Sequence, residues 1–192
     1  MGSHSGFGNR DVDSMSESLE PNAPAETKLS WITSAGGPLL FLEEHLLPHW
    51  HGYDTSDYDR ACSIKDYLGL LEVGPGQGLV LGEEPMPTAW RSFPRPPGGM
   101  FIRWQWADDD DSVVRAIADL EKVSWEATGI VFDVANSSLV LFDAVCSGQD
   151  PDCNTTGCRL NIRLEEGHYF IQTAHYQPDG NTALILHRLR MS

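Results

Sequence analysis

Apolar residues first cluster in LSWITSAGGPLLFL, where Gly36, Gly37 and Pro38 punctuate the entry to a short strand, Leu39 to Leu42. Further on, DYLGLLEVGPGQGLVLGEE (Asp66 to Glu84) and EATGIVFDVANSSLVLFDA (Glu126 to Ala144) each read as strand, turn and strand, the pattern of a β-hairpin. Two strands led by glycine and rich in aromatic residues follow, GGMFIRWQW (Gly98 to Trp106) and EGHYFIQTAHY (Glu166 to Tyr176). Between these parts lies the one helical period: in ADDDDSVVRAIADLEK the apolar positions Val113, Val114, Ile117 and Leu120 draw a single face. Asp108 to Asp111 supply its N-cap and favourable charge at the positive end of its dipole. The chain closes with TALILHRLR, a final strand with a basic end. Glu43 to Trp50 forms at most a bent turn, because Pro48 clashes with the carbonyl four residues back and removes an amide donor.

The two hairpin patterns are in register. At a constant shift of 60 residues Asp66 meets Glu126, Gly69 meets Gly129, Leu79-Val80-Leu81 meets Leu139-Val140-Leu141, and Glu83 meets Asp143. The spacing grows by 8 residues at the aromatic strands, which places an insertion at the cysteine-containing segment of the second copy. The expectation is an internal duplication over about 66–106 and 126–176, in which two β-rich halves share one linking helix. The fold class is then α+β, predominantly antiparallel β, in a single compact domain over residues 29–192. Residues 1–28 hold few bulky apolar side chains and read as a disordered tail, since they cannot offset the entropy of ordering. Its first four residues, MGSH, resemble a cloning remnant, and Met15 is a candidate native start.

Composition narrows the function classes. A hydrophobic fraction of 41% suffices for a core in a chain of 192 residues. No apolar run approaches the roughly 18 residues that span a bilayer, and the N-terminus lacks the apolar centre of a secretion signal, so a soluble cytoplasmic protein is expected. The net charge of −15, from 28 acidic against 13 basic residues, opposes binding to nucleic acid or an anionic membrane and favours a basic partner. Cys62, Cys146, Cys153 and Cys158 are too few and too irregular for a disulfide scaffold. Reduced thiols or one local disulfide are expected, because the spacing matches no zinc pattern.

Three of the seven histidines crowd into HLLPHWHGYD. His45 and His49 stand at the i, i+4 spacing of helical zinc sites, but Pro48 breaks that geometry and no HExxH is present. A structural role beside Trp50 is expected. The enzymatic alternative is a metal-dependent hydrolase using His45, His49 and His51, with Asp54 as a further ligand. Asp54, Asp57 and Asp59 resemble a calcium loop without its central glycine and closing glutamate, which points instead to an exposed acidic loop for Lys or Arg of a partner. Glu83, Glu84, Asp108, Asp109, Asp110 and Asp111 extend the set of candidate contacts. Most of the six tryptophans are expected in the core, Trp104 and Trp106 alternating along one strand. There is no GxSxG, no P-loop, and no GxGxxG leading into a helix.

The blocks SAGGPLLFL, LLPHWHG, DYDRACSIKDYLGLL, LVLGEEPMPTAW, LVLFDA and TAHYQPDGNTALILHRL resemble the bacterial family of immunity protein 21, from Trp31 to Leu189. Members of that family accompany secreted polymorphic toxins. The resemblance implies a cytoplasmic protein, neither an enzyme nor cofactor-dependent, that binds and neutralises a cognate toxin domain by stoichiometric occlusion. A basic nuclease is the toxin that the acidic charge suits. A general protein-interaction module is the remaining alternative.

Overall fold

Strand β2 (Leu39–Glu43) is buried along its whole length because both of its faces are covered. In the computed structural model, which describes residues 1–2, 28–82, 84–151 and 157–192, β2 is the centre of a five-stranded sheet. Its order is β3 (Leu68–Val73), β4 (Gly76–Leu81), β2, β8 (Ser138–Asp143) and β9 (Arg159–Arg163). A six-stranded sheet lies against it, ordered β1 (Trp31–Ile32), β5 (Thr88–Pro94), β6 (Pro97–Trp106), β11 (Ala183–Met191), β10 (Gly167–Tyr176) and β7 (Glu126–Val134). Every pairing is antiparallel.

Alternation along the strands sorts the apolar residues into three layers. Leu39, Phe41, Leu79, Leu81, Leu139 and Leu141 meet Phe101, Phe132, Tyr169, Ile171 and Leu189 of the other sheet in the central core. The Phe41 ring stands at its middle, with ring centroids 5.0 Å from Phe101 and 5.3 Å from Phe132. Leu40, Leu42, Val80, Val140 and Phe142 point the other way, under Leu46, Leu47, Trp50 and Ala61. These four come from a 3-10 segment (Glu44–His49), the loop after it, and helix α1 (Ser56–Cys62). On the far side Met100, Ile102, Ala174, Leu184 and Leu186 lie under Val113, Ala116 and Ile117 of helix α2 (Asp110–Ala116) and its C-terminal end, and under Val123. A strand covered on both faces reads as a continuous apolar run, which is why LLFL and LVLF lack the polar alternation of half-exposed strands.

The first hairpin forms as expected: β3 and β4 pair across Gly74 and Pro75, with Gly74 at φ +55°. The second does not. β7 pairs with β10 in the six-stranded sheet, whereas β8 pairs with β2 and β9 in the other, so the chain crosses between sheets at Ala135–Ser137. The physical reason is a distant acceptor, for Glu43 Oε1 takes the amides of Ala135 and Asn136 and satisfies a turn that leaves the ladder. Of the strands matched by the repeat, β4 and β8 both flank β2, and β6 and β10 both flank β11, but β3 and β7 lie in different sheets.

The linking helix is shorter than its pattern. Asp109 caps it by accepting from the Ser112 amide at 2.8 Å, but the α-helix ends at Ala116, and only a 3-10 turn continues at Leu120–Lys122. Cys146 is disulfide-bonded, which decides between the two expectations for that position in favour of the disulfide. Cys62 is free and exposed. Cys153 and the expected tail, apart from Met1, Gly2 and Lys28, lie outside the described residues.

Candidate functional site

The histidine cluster does not assemble a metal site. Pro48 lies inside the 3-10 segment, and at three residues per turn positions i and i+4 point about 120° apart, so His45 and His49 do not share a face. His45 Nδ1 lies 3.2 Å from Glu43 Oε2, and His51 Nδ1 lies 2.7 Å from Asp57 Oδ2. Trp50, between them, is fully buried and donates its indole N–H to the Ala144 carbonyl at 3.0 Å. Among the described residues no group of three or more His, Cys, Asp or Glu side chains could hold a metal ion, so the hydrolase alternative loses its site.

The acidic candidates divide between opposite outer layers. Asp54, Asp57 and Asp59 belong to the layer of α1, over the five-stranded sheet, and Asp108 to Asp111 belong to the layer of α2, over the six-stranded sheet. Asp57 is engaged internally: it accepts from the His51 amide and ring and from Arg60. Burial pushes its carboxyl up, but the bonds from His51 and the Arg60 guanidinium outweigh that and hold it below the usual 3.8. Asp54 and Asp59 stay exposed, and Asp54 adopts φ +62°, a left-handed conformation that Asp tolerates better than most residues. Next to it, Tyr53 is 68% exposed on a loop held by the bond from its amide to the Val145 carbonyl.

In the α2 layer two carboxylates are likewise engaged. Asp109 accepts from both the amide and hydroxyl of Ser112, which hold its carboxyl below 3.8. Asp110 accepts the Trp31 indole N–H at 2.8 Å. Asp108 and Asp111 are exposed, as is Glu84, and Glu83 lies outside the described residues.

Asp108 lines a cleft of about 750 Å³ together with two carboxylates that charge runs did not reveal, Asp119 and Asp179. Arg115, Lys122 and His175 line it too, and Lys122 Nζ lies 2.7 Å from Asp119 Oδ2. Asp179 reaches this place through the β10–β11 turn, where it accepts the Asn181 amide. Trp106, at the end of β6 and two residues before Asp108, is 48% exposed, which corrects the expectation that it lies in the core. The region therefore brings an exposed indole and three carboxylates to one end of the six-stranded sheet; Asp108 is exposed there, whereas Asp119 is paired with Lys122 and Asp179 holds the Asn181 amide.

No helix among the described residues is long and apolar enough to cross a membrane. No curated protein and no solved structure matches the chain. One family does, and its match over residues 30–182 runs from the start of β1 to the turn before β11: the chain belongs to the family of immunity protein 21.

Proposed function

We propose that this protein is a cytoplasmic immunity protein that binds a cognate toxin domain of a polymorphic toxin system and neutralises it by stoichiometric occlusion. The observation that carries the reading is the family match over residues 30–182. Neutralisation by occlusion needs no cofactor and no catalytic residue; it needs a rigid surface that covers the toxin's active site or substrate groove. The three-layer core supplies rigidity, because each outer layer is locked to its sheet by buried side chains.

The net charge of −15 suits a basic toxin such as a nuclease, whose groove attracts phosphates and would equally attract carboxylates. Asp54, Asp57 and Asp59 lie on the face opposite Asp108 to Asp111, so a single compact toxin domain engages one set and not both. The α2 side is the stronger candidate. Its cleft adds Asp119 and Asp179 to Asp108, and Trp106 adds an aromatic contact beside them. Glu83 and Glu84 remain candidates at the β4–β5 connection.

Co-expression tests the reading. Cells producing the toxin domain encoded beside this gene are expected to grow when the protein is also made and to die when it is not. Continued killing with both proteins present in equal amounts would refute it.

A further inference from the structure

The outer face of the six-stranded sheet is covered over only part of its length. Ala174, Leu184, Leu186, Met100 and Ile102 lie under the α2 layer, which extends to Trp125. Nearer the other end of the strands, the register sets Val131 opposite Phe170, Phe170 opposite Arg190, and Arg190 opposite Gly98. Because Phe132, Tyr169, Ile171 and Leu189 point into the central core, Val131, Phe170 and Arg190 point outward. Phe170 is 53% exposed and Val131 37% exposed, and Arg190 is exposed as well. Two apolar side chains that are direct cross-strand neighbours therefore stand in water beyond the covered part of this face.

The charge around them is opposite in sign to that of the chain. Two arginines stand there, Arg190 in the row itself and Arg188 in the next, while the carboxylate of Asp133, on the other side, is hydrogen-bonded to His168. In a chain with 28 acidic and 13 basic residues, cations gathered about an apolar pair do not serve solubility. Arg188 lies over the Trp125 ring at 4.0 Å and donates to Gln172 Oε1 at 2.7 Å. Its Nε and the Trp125 Nε1 are nevertheless buried donors without an acceptor. Arg188 is thus fixed behind the row, and it is the exposed Arg190, directly opposite the exposed Phe170, that offers a guanidinium to carboxylates and carbonyls of a partner.

We infer that the Val131–Phe170–Arg190 row is the anchor of the toxin interface, and that it receives a toxin surface presenting an apolar side chain flanked by carboxylates. This rests on the immunity reading proposed above. It adds a division of labour on one face, since the row and the α2 cleft both lie on the outer side of the six-stranded sheet, within reach of one partner. Rim carboxylates steer encounter and act on the association rate, whereas a desolvated aromatic and arginine centre acts on the dissociation rate.

The test is a kinetic comparison of full-length wild type, Phe170→Ser and Arg190→Glu against the immobilised toxin domain. Phe170→Ser is expected to raise the dissociation rate at least about tenfold while the association rate changes by less than about threefold. Arg190→Glu is expected to do the same. Thermal unfolding serves as the control, and exposed Phe170 predicts a midpoint unchanged for the serine variant. Wild-type dissociation by both variants would overturn the anchor while leaving immunity intact. No binding by the wild type would overturn the immunity reading and the anchor with it. Sedimentation of the protein alone distinguishes the other occupant: a dimer that Phe170→Ser converts to monomer would assign the row to a second copy of this chain and overturn the inference.

Discussion

Glu43 accepts the backbone amide of Ala135 at 2.5 Å, and through the same oxygen the amide of Asn136 at 2.8 Å. The bond joins the end of the central strand β2 to the turn at which the chain passes from the six-stranded sheet to the five-stranded one. Glu43 itself is 5% exposed, so water does not replace it readily.

Removing that acceptor takes two charge-assisted hydrogen bonds from the turn, which water at the exposed Ala135 and Asn136 replaces only in part. Glu43→Ala is expected to destabilise the protein by about 2–3 kcal/mol, lowering the thermal midpoint by roughly 4–10 °C in a domain of this size. Glu43→Gln keeps a carbonyl oxygen and is expected to lose less than about half as much. Urea and thermal denaturation of both variants check this. Equal stability of Glu43→Ala and wild type would mean that the turn does not depend on the bond.

His187 is fully buried between the sheets, where its Nδ1 lies 2.9 Å from Thr173 Oγ1 and its Nε2 has no partner. Burial first, then the charges of Arg103 and His175, hold its pKa well below the ordinary 6.5. The folded ring therefore stays neutral at pH values where the unfolded ring is protonated. The unfolded state then binds the extra proton, so stability is full above about 6.5 and falls as the pH drops below it, by at most about 1.4 kcal/mol per pH unit. His187→Gln removes the titrating group, and its stability between pH 7.5 and pH 5 is expected to fall less steeply, with pH as set in the experiment. Asp57 acts only below 3.8, outside this window. Parallel pH profiles for the two proteins would contradict the assignment.

Charge reversal separates steering from anchoring. Asp108→Lys combined with Asp111→Lys is expected to lower the association rate with a basic toxin about tenfold at low salt. The same pair is expected to flatten the dependence of that rate on ionic strength and to leave thermal stability within about 0.5 kcal/mol. An association rate unchanged at low salt would remove the α2 side from the encounter.

The pattern of apolar positions revealed elements wherever a local period was enough. β2, the β3–β4 hairpin, β6, β10 and β11 all stand where alternation or a continuous apolar run placed them, because each satisfies its backbone with the strand geometry that its own residues favour. EATGIVFDVANSSLVLFDA failed as a hairpin because its outcome is decided at Glu43, far away in sequence, and by the central position of β2 between β4 and β8. The helix pattern from Val113 to Leu120 overran the α-helix because the period records which residues face a sheet, and Ile117 and Leu120 do so from a C-cap and a 3-10 turn.

The candidate site was legible as charge and not as availability. Nothing in the run Asp108 to Asp111 tells that Asp109 is held by Ser112 and Asp110 by Trp31 while their neighbours remain exposed. Asp119 and Asp179 join Asp108 only because the β10–β11 turn returns to α2. Phe170 has the same alternation as any strand residue, and only the extent of the α2 layer leaves it in solvent. His45, His49 and His51 are crowded in sequence, yet His45 in the 3-10 segment meets Glu43 while His51, beyond it, meets Asp57.

The central claim is stoichiometric neutralisation, and one calorimetric titration tests it most directly: the purified protein into the toxin domain encoded beside it, with residual toxin activity measured at each ratio. A single transition at one to one, with activity vanishing at that same ratio, is the predicted result. Absence of binding heat together with full toxin activity at excess protein would contradict it.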